Sequence, residues 1–191
     1  MSTVPPKAKV SKEDILNACI SLVRKNGEDA FKAREIAKEL GCSTQPIFSN
    51  FKSMEELRYE VLMYAAKVFR SYQESIIKSG EYPAYKASGM GYIRFAKEER
   101  ELYKLLFMRD RRDEEFENPV DQDFDNAVLT VMERTGLSRD EAMLFHLEMW
   151  VFVHGIAAIL ATSFLELDND TVSRMLTDQF KGLVSRFTEE R

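Results

Sequence analysis

Side chains that can recognise a base pair are concentrated in the run Ser43–Pro46. The amide of Gln45 can bond bidentately to an adenine edge, and Thr44 and Pro46 offer apolar surface to a thymine methyl group. One good bidentate contact discriminates between bases by about 1–3 kcal/mol. We therefore expect these residues, with Ser43 beside them, to read the sequence of a DNA duplex.

The segments around this run have the layout of a helix-turn-helix. A helix is predicted over about residues 33–40, Gly41 supplies a left-handed turn, and Ser43 is expected to cap a second, short helix. Ile47 and Phe51 lie one helical turn apart and are predicted to face inward. In a helix-turn-helix, the helix after the turn enters the major groove.

Polar and basic residues on either side of the run predict contacts with the phosphate backbone. Such contacts fix the register of the protein on the duplex and make binding salt-dependent. The residues with this expected role are Lys32, Arg34, Ser49, Asn50 and Lys52. Taken singly they would be ordinary polar loop residues, and only the flanking helices favour the functional interpretation.

The distribution of charge agrees with this interpretation. The net charge of the whole chain is −5. Residues 1–53 contain nine Lys and Arg against six Asp and Glu, a net +3, whereas residues 54–191 contain eighteen against twenty-six, a net −8. The positive end can lie on phosphates while the acidic remainder points away from them. An excess of three charges also arises by chance, so this observation carries little weight alone.

The chain is predicted to be all-α, in two domains. The opening MSTVPPKAKV is polar and basic, which predicts a flexible arm without a signal peptide, and hence a cytoplasmic protein. Residues 1–53 are expected to form this arm and the helix-turn-helix domain, and residues 54–191 a larger helical regulatory and dimerisation domain. The further predicted helices are a long connecting helix at about 53–78 and others at about 84–97, 99–111, 121–135 and 170–187, with a charged loop at 109–119.

Capping signals mark the predicted ends of several helices. A serine followed three residues later by an acidic residue can form a capping box, and a glycine can end a helix in a left-handed conformation. The pairs with this spacing are Ser11 and Asp14, Ser53 and Glu56, and Ser138 and Glu141. The glycines in such positions are Gly27 and Gly136.

The segment MWVFVHGIAAILA, residues 149–161, is apolar on nearly every side. It is shorter than the ~20 residues that a membrane span needs, so no membrane association is expected. A helix that is apolar all round must be covered all round. We therefore expect one face to pack on its own domain and the other, with the amphipathic last helix, to form a four-helix interface in a homodimer. The alternative is a central helix in a large monomeric core.

Large apolar side chains of the middle helices are candidates for lining a small-molecule pocket. A cavity between helices with such a lining would suit a small, largely apolar effector. The candidates are Tyr92, Phe95, Tyr103, Phe107, Met108, Phe124, Trp150 and His154, with Tyr85 and Met132 in the same set of apolar residues. Each could equally be an ordinary core residue, and His154 could donate to a backbone carbonyl instead of a ligand. No cofactor is expected besides such an effector.

Three segments together resemble the tetracycline-repressor (TetR) family of bacterial transcription regulators. They are REIAKELG in the first helix of the helix-turn-helix, CSTQPIFSNF in the recognition segment, and SMEEL at the start of the long helix. WVFVHG, which contains Trp150, His154 and Gly155, and LYKLLF upstream are similar to a WHG-like subgroup of regulatory domains in that family. The resemblance covers the whole chain, and its specific part is residues 11–65.

The resemblance implies a ligand-responsive repressor that binds a palindromic operator as a homodimer. The two recognition helices of a dimer would occupy half-sites ~34–36 Å apart on double-stranded DNA. An effector bound in the C-terminal domain would move them and release the DNA. A coupling of ~1–3 kcal/mol between the two sites is typical of such regulation.

The sequence departs from the family pattern at several anchoring positions. Phe48 stands where members usually have Tyr, and it cannot make the phosphate hydrogen bond of a tyrosine hydroxyl. Asn50 stands where His or Tyr is common, and Lys32 replaces the Thr that usually caps the second helix. Met54 replaces a common Lys, for which Lys52 can substitute. We expect phosphate anchoring to be rewired at these positions and not lost.

Other functions find less support in the residues. His146 and His154 are eight positions apart, too far to chelate one metal ion from a helix. We find no phosphate loop, nucleophile elbow or paired-carboxylate motif, so no catalytic residue is expected. Cys19 and Cys42 are expected to be small buried residues, with redox sensing as the alternative. A helical-bundle enzyme and a helix-turn-helix that contacts only proteins are the remaining alternatives.

Overall fold

The computed structural model describes residues 10–112, 116–117 and 119–189. Within these ranges the chain is helical and contains no strand, which confirms the predicted fold class. The chain forms two compact units, an N-terminal unit, Met1–Met63, and a C-terminal unit, Tyr64–Arg191. The predicted N-terminal arm lies outside the described residues except for Val10.

The N-terminal unit begins with three helices that follow the predicted pattern. They are α1, Lys12–Asn26, then α2, Ala33–Glu39, and α3, Gln45–Asn50. The capping box of α1 is confirmed, since the Asp14 N–H donates to Ser11 Oγ at 3.1 Å and the Ser11 N–H donates to the Asp14 carboxylate at 2.9 Å. Gly27 ends α1 at φ 72°, a left-handed φ that favours glycine.

One small hydrophobic core holds these helices together. α1 packs against both α2 and α3. The buried residues of this core are Ile15, Cys19, Val23, Ile36, Ile47, Phe51, Leu57 and Val61. Because the apolar positions of each helix recur at helical spacing, the core side of every helix is fixed, and so is the side that faces solvent.

The boundary between the two units falls within α4, Met54–Ser79, ten residues later than the predicted boundary after residue 53. Ion pairs tie the first turns of α4 to the N-terminal unit. Lys12 Nζ lies 3.0 Å from the Glu60 carboxylate, and Arg58 pairs with Glu28. Leu57 is also fully buried. The start of α4 therefore belongs to the N-terminal unit.

The C-terminal unit contains the rest of α4 and five further helices. They are α5, Ala84–Glu98, α6, Arg100–Phe107, α7, Asp121–Thr135, α8, Arg139–Ala161, and α9, Asn169–Glu189. α8 packs against α5, α6, α7 and α9, and is therefore the central helix of the unit. The predicted capping box of Ser138 and Glu141 is confirmed. Gly136 ends α7 as predicted, in a left-handed conformation with φ 70°.

α6 ends at Phe107, so the prediction of a helix that continues to residue 111 is wrong. The guanidinium of Arg109 folds back and donates to the carbonyls of Leu105, at 2.9 Å, and Leu106, at 2.6 Å. The last carbonyls of a helix need donors from outside the regular helical pattern, and here a basic side chain supplies them. Part of the charged loop predicted at 109–119 lies outside the described residues.

α4 and α5 approach one another closely at Gly91. A Cβ atom at this position would lie 2.6 Å from the Cα of Gln73, which is a backbone atom of α4. One turn earlier on α4, the ring of Phe69 packs edge-on against Phe95, at 5.4 Å between centroids, and against Phe107, at 5.2 Å. The absence of a side chain at Gly91 thus lets the two helices bury this aromatic cluster.

The central helix α8 carries apolar residues on opposite faces, as its sequence predicts. Its buried residues are Ala142, Phe145, Met149, Val153, Ile156, Ala157, Leu160 and Ala161. Its exposed apolar residues are Met143, Leu144, Leu147 and Val151. By length and mean hydropathy alone α8 could cross a membrane, a property that the core helices of soluble domains share. One face of α8 is buried among α5, α6, α7 and α9.

Candidate nucleic-acid interface and internal cavity

The turn between α2 and α3 sets which residues of α3 face outward. Gly41 has φ 62°, and its N–H donates to the Lys38 carbonyl at 3.1 Å. The next N–H, of Cys42, donates to the Ala37 carbonyl at 2.9 Å. These bonds close α2 in the manner of a glycine-based helix end, and the chain then turns so that α3 packs on α1.

α3 begins one residue later than predicted, so Ser43 is not its N-cap. Thr44 occupies that position with α-helical backbone angles, φ −73° and ψ −15°, and its side chain makes no capping bond. Its carbonyl already accepts from the Ile47 N–H at 3.1 Å. Because no hydroxyl is used for capping here, Ser43 and Thr44 are not committed to holding the helix end. Pro46 lies in the first turn, where a missing N–H is harmless.

The outer side of α3 is open to solvent. Ile47 and Phe51 are 1% and 2% exposed, which places them in the core as predicted. The expected readout and anchoring residues lie outside it. Those that are exposed are Lys32, Arg34, Ser43, Gln45, Phe48, Ser49 and Lys52, and those that are half-buried are Thr44, Pro46 and Asn50.

These residues differ in whether their side chains already form hydrogen bonds within the protein. Asn50 Nδ2 donates to the Pro46 carbonyl at 2.8 Å, and Ser49 Oγ donates to the Gln45 carbonyl at 2.9 Å. Both donors are therefore engaged within α3. The side-chain amide of Gln45, by contrast, makes no hydrogen bond within the described part of the chain, so its donor and acceptor remain available.

Four exposed cations of this unit have no ion-pair partner among the described residues. They are Lys32, Arg34, Lys38 and Lys52. Other basic residues of the unit are paired, such as Lys25 with Glu39 at 3.3 Å and Lys12 with Glu60. Lys38 lies in the last turn of α2. The other three, which are predicted phosphate contacts, lie just before α2, in its first turn and just after α3, so they flank the recognition segment along the chain.

Of the two cysteines, only Cys19 is buried as the sequence predicts. Cys19 is fully buried, and burial raises the pKa of its thiol to about 12. Cys42 is only half-buried and its thiol donates to the Ser43 carbonyl at 3.2 Å, so its predicted burial is wrong. The turn between α2 and α3 holds it near the surface.

A cavity of about 1070 Å³ lies within the C-terminal unit, among α4, α5, α6, α7, α8 and α9. Its aromatic lining comes from Phe69, Tyr85, Tyr92, Phe107, Phe124, Trp150 and Phe180. Small-molecule sites usually have a volume of ~300–1,000 Å³ and a predominantly apolar lining with few polar groups. The cavity is therefore large enough for an organic ligand of substantial size.

Four of the eight predicted lining residues do line this cavity. They are Tyr92, Phe107, Phe124 and Trp150. Phe95 and Tyr103 are fully buried core residues, because their rings face neighbouring helices and not the open space. Met108 follows the end of α6 and is 47% exposed at the surface. Met132 packs against the core formed by α7, α8 and α9 and does not line the cavity either.

His154 is a neighbour of the cavity wall and does not line the cavity. Its Nδ1 lies 3.0 Å from the Tyr92 hydroxyl and 3.2 Å from the Tyr103 hydroxyl, and its ring stacks on Trp150 at 5.1 Å. Burial lowers the pKa of His154, which favours the neutral imidazole. His154 thus fixes the orientation of Tyr92 and Trp150. The partners of its Nδ1 are two tyrosine hydroxyls, and not the backbone carbonyl that the sequence leaves open.

His146 lines the cavity, although the sequence did not single it out as a ligand residue. Its Nδ1 lies 2.8 Å from the Tyr85 hydroxyl, and its ring packs edge-on against Phe124 at 4.6 Å. Burial lowers the pKa of His146 to about 4, so the imidazole is neutral near pH 7. Its position two turns before His154 on an apolar helix was the one available signal.

Within the described ranges, no group of three His, Cys, Asp or Glu side chains is placed to hold a metal ion. The polar side chains of the cavity wall are those of lysine, arginine, aspartate, His146, and residues with hydroxyl or amide groups.

The structure thus places an outward-facing helix-turn-helix in one unit and an aromatic cavity in the other. Residues 85–180, half of the chain, match the family model described as the tetracyclin repressor-like C-terminal domain. The protein therefore belongs to the TetR family, as the resemblance of its sequence predicts. No curated protein matches the chain.

Solved structures share this fold at low sequence identity. A protein of unknown function from Rhodococcus sp. RHA1 has a TM-score of 0.73 and 21% identity, covering 95% of this chain and 98% of its own. A TetR-like transcriptional regulator from the same organism has a TM-score of 0.67 and 15% identity, covering 99% and 100%. A TetR variant from Acinetobacter baumannii AYE in complex with minocycline has a TM-score of 0.60 and 13% identity, covering 95% and 98%. These likenesses support the fold alone.

Proposed function

We propose that the protein is a cytoplasmic, ligand-responsive repressor that binds a palindromic DNA operator as a homodimer. The observation that carries the proposal is the outer side of α3, where the unbonded amide of Gln45 faces solvent. A regulator of this kind needs no catalytic group, and we assign none.

Sequence readout falls to the start of α3. Gln45 can bond an adenine edge, and Ser43 can contact either kind of base edge or a phosphate. Thr44 and Pro46 are half-buried and offer apolar surface. An exposed Phe48, 53% accessible, can contribute only apolar contact where a tyrosine hydroxyl would donate to a phosphate.

Phosphate anchoring falls to Lys32, Arg34 and Lys52. These side chains are exposed and without an ion-pair partner in the described residues, so they can approach phosphates without breaking a salt bridge. Ser49 and Asn50 would have to give up bonds inside α3 to donate to a phosphate, which makes them weaker anchors. Each additional neutralised phosphate steepens the salt dependence of binding.

Dimerisation through α8 and α9 supplies the second recognition helix. Leu144, Leu147 and Val151 recur at spacings of three and four on the exposed side of α8, and Gly155 continues this stripe one turn later. A stripe with this spacing can pack against the same stripe of a second copy. Two recognition helices held in this way can occupy half-sites about one duplex turn apart.

The cavity in the C-terminal unit is the proposed effector site. Phe69, Gln73 and Ile77 of α4 line it, and α4 is a continuous helix whose first turns belong to the N-terminal unit. An effector that displaces the later turns of α4 would move the earlier turns as well, and with them the recognition helix. The related TetR variant that was solved with minocycline supports a small organic effector in principle.

A gel-shift experiment tests the proposal. Purified protein is titrated into a duplex containing the DNA upstream of its own coding region and into a scrambled duplex of equal length. We expect tighter binding to the upstream duplex, with an affinity that falls steeply as salt rises. Equal affinity for both duplexes, or no binding to either at low salt, would contradict a sequence-specific regulator and favour a protein-interaction module or an enzyme.

A further inference from the structure

The carboxylates that line the cavity are all neutralised by arginines. Asp121 lies 2.7 Å from a guanidinium nitrogen of Arg111, and Asp123 lies 3.2 Å from Arg70 Nε. Asp125 lies 3.3 Å from a guanidinium nitrogen of Arg139. The α7 side of the cavity is therefore not available as a strong countercharge for a cationic ligand.

Lys86 of α5 also lines the cavity, but its charge is not neutralised by an ion pair. Its ammonium donates to Ser173 Oγ at 2.7 Å and to Thr177 Oγ1 at 2.8 Å, and lies 5.0 Å from the centre of the Tyr82 ring. No carboxylate pairs with it among the described residues. An ammonium has three donors, so two neutral hydroxyls fix its position and leave one N–H and a full positive charge unmatched.

Two more cations of the cavity lining strengthen this asymmetry. Lys181 follows Thr177 by one turn of α9, and Arg134 lies in the last turn of α7. Neither has an ion-pair partner within the described part of the chain. His146 adds no charge because its pKa of about 4 leaves it neutral near pH 7. The unmatched charge of the lining is therefore positive.

We propose that the effector is an organic anion, a carboxylate on an apolar body, whose carboxylate binds Lys86. The apolar body would lie against the aromatic side chains of Tyr92, Phe107 and Trp150, which line the same cavity. A charge-assisted hydrogen bond from a part-buried ammonium is stronger than a neutral one, and this bond would complete the donor set of Lys86. The inference deepens the effector role given to this cavity under the proposed function and rests on it.

Trp150 provides a direct readout of binding. It is the single tryptophan of the chain and lines the cavity, so ligand entry changes its fluorescence. Two carboxylates with different bodies, decanoate and phenylbutanoate, are titrated into the full-length protein without DNA. Each is compared with the alcohol and the amine of the same carbon skeleton. We expect saturable binding of at least one carboxylate, about tenfold or more tighter than its alcohol and tighter still than its amine.

Substitutions at Lys86 test the position of the carboxylate. Lys86→Met should remove the preference for the carboxylate over the alcohol while leaving alcohol binding within about twofold, and Lys86→Arg should retain the preference. Lys97→Met is the matched control, because Lys97 is an exposed lysine on the same helix that does not line the cavity. The ratio of carboxylate to alcohol affinity within each variant separates loss of the charge from loss of folding.

Several outcomes would overturn the inference. They are binding of neither carboxylate, equal affinities for the acid, alcohol and amine, tightest binding of an amine, and an unchanged preference in Lys86→Met. The readout uses no DNA, so it is independent of the gel-shift experiment. Anion binding without operator binding would contradict the proposed repressor function. Operator binding without a preference for the anion would contradict only the inference about the effector.

Discussion

On α3, the availability of a polar side chain depends on whether its donor is already bonded within the helix. Asn50 and Ser49 each donate to a carbonyl one turn earlier, whereas Gln45 faces solvent without an intramolecular bond in the described chain. Residue type alone gives all three the same capacity for DNA contact. This difference in bonding is why we propose base readout by Gln45 and phosphate contacts by Lys32, Arg34 and Lys52.

The substitutions Gln45→Ala and Lys52→Ala should weaken DNA binding in different ways. Gln45→Ala should cost about 1–3 kcal/mol on the operator and little on random DNA, because a bidentate base contact is lost. Lys52→Ala should weaken binding to both and reduce the salt slope by about 1, because one phosphate contact is lost. Fluorescence anisotropy at several salt concentrations measures both effects.

Lys97→Ala serves as the control for these substitutions, since it removes a lysine from the other unit. It should leave both affinities unchanged. If Gln45→Ala and Lys52→Ala reduced operator and random-DNA binding equally, the division into readout and anchoring residues would be wrong.

At the scale of helices, the close approach of α4 and α5 depends on one glycine. The Cβ position of Gly91 lies within 3.1 Å of three backbone atoms of α4. A backbone contact cannot be relieved by a rotamer change, so any side chain here must push the helices apart. Because both helices line the cavity, their spacing also sets its dimensions.

Replacing Gly91 with alanine should lower the free energy of unfolding by about 1–3 kcal/mol, because overpacking forces the helices apart. Gly89→Ala is the matched control on the same helix. Its Cβ would make only ordinary contacts, at 3.5 Å and 3.6 Å, with side chains of Leu176 and Val153. Alanine also favours the helix by up to about 1 kcal/mol relative to glycine. Thermal or urea unfolding followed by circular dichroism compares the two, and equal stabilities would contradict the close-contact argument.

At the scale of the whole molecule, function as proposed requires two copies. α8 buries one face in its own unit and leaves Leu144 and Val151 exposed, at 46% and 56%. Singly exposed apolar residues are common on protein surfaces, but a stripe at helical spacing on the central helix is typical of an interface. The two reading helices of the proposed repressor depend on this surface.

We expect the protein to be a dimer at micromolar concentration and Val151→Glu to convert it to a monomer. A charge at the centre of the stripe would be buried without a partner in the dimer. Analytical ultracentrifugation measures the state, and operator binding should fall with dimerisation. Leu129→Glu is the control, since Leu129 is an exposed residue, 47% accessible, on α7. A monomeric wild-type protein, or a dimer that tolerates Val151→Glu, would exclude this interface.

Features that depend on neighbours in the sequence were predicted well. The capping boxes at Ser11 and Ser138 and the glycine ends at Gly27 and Gly136 are in place. The turn after α2 also follows from Gly41. The errors nearby are small, such as the shift of the α3 N-cap from Ser43 to Thr44. Bonds within a single turn decide these features, so a local pattern is sufficient to predict them.

The sequence by itself determined the helices, the helix-turn-helix, the inward faces and the family. Tertiary structure alone decided which aromatic residues face the cavity, that His154 bonds Tyr92 and Tyr103, 62 and 51 positions away, and that Lys86 meets Ser173 and Thr177, 87 and 91 positions away. The physical reason is that the rotation of each helix about its axis, and the partners it meets, result from packing among helices distant in sequence. Helical periodicity shows that one face is buried and does not show what that face contacts.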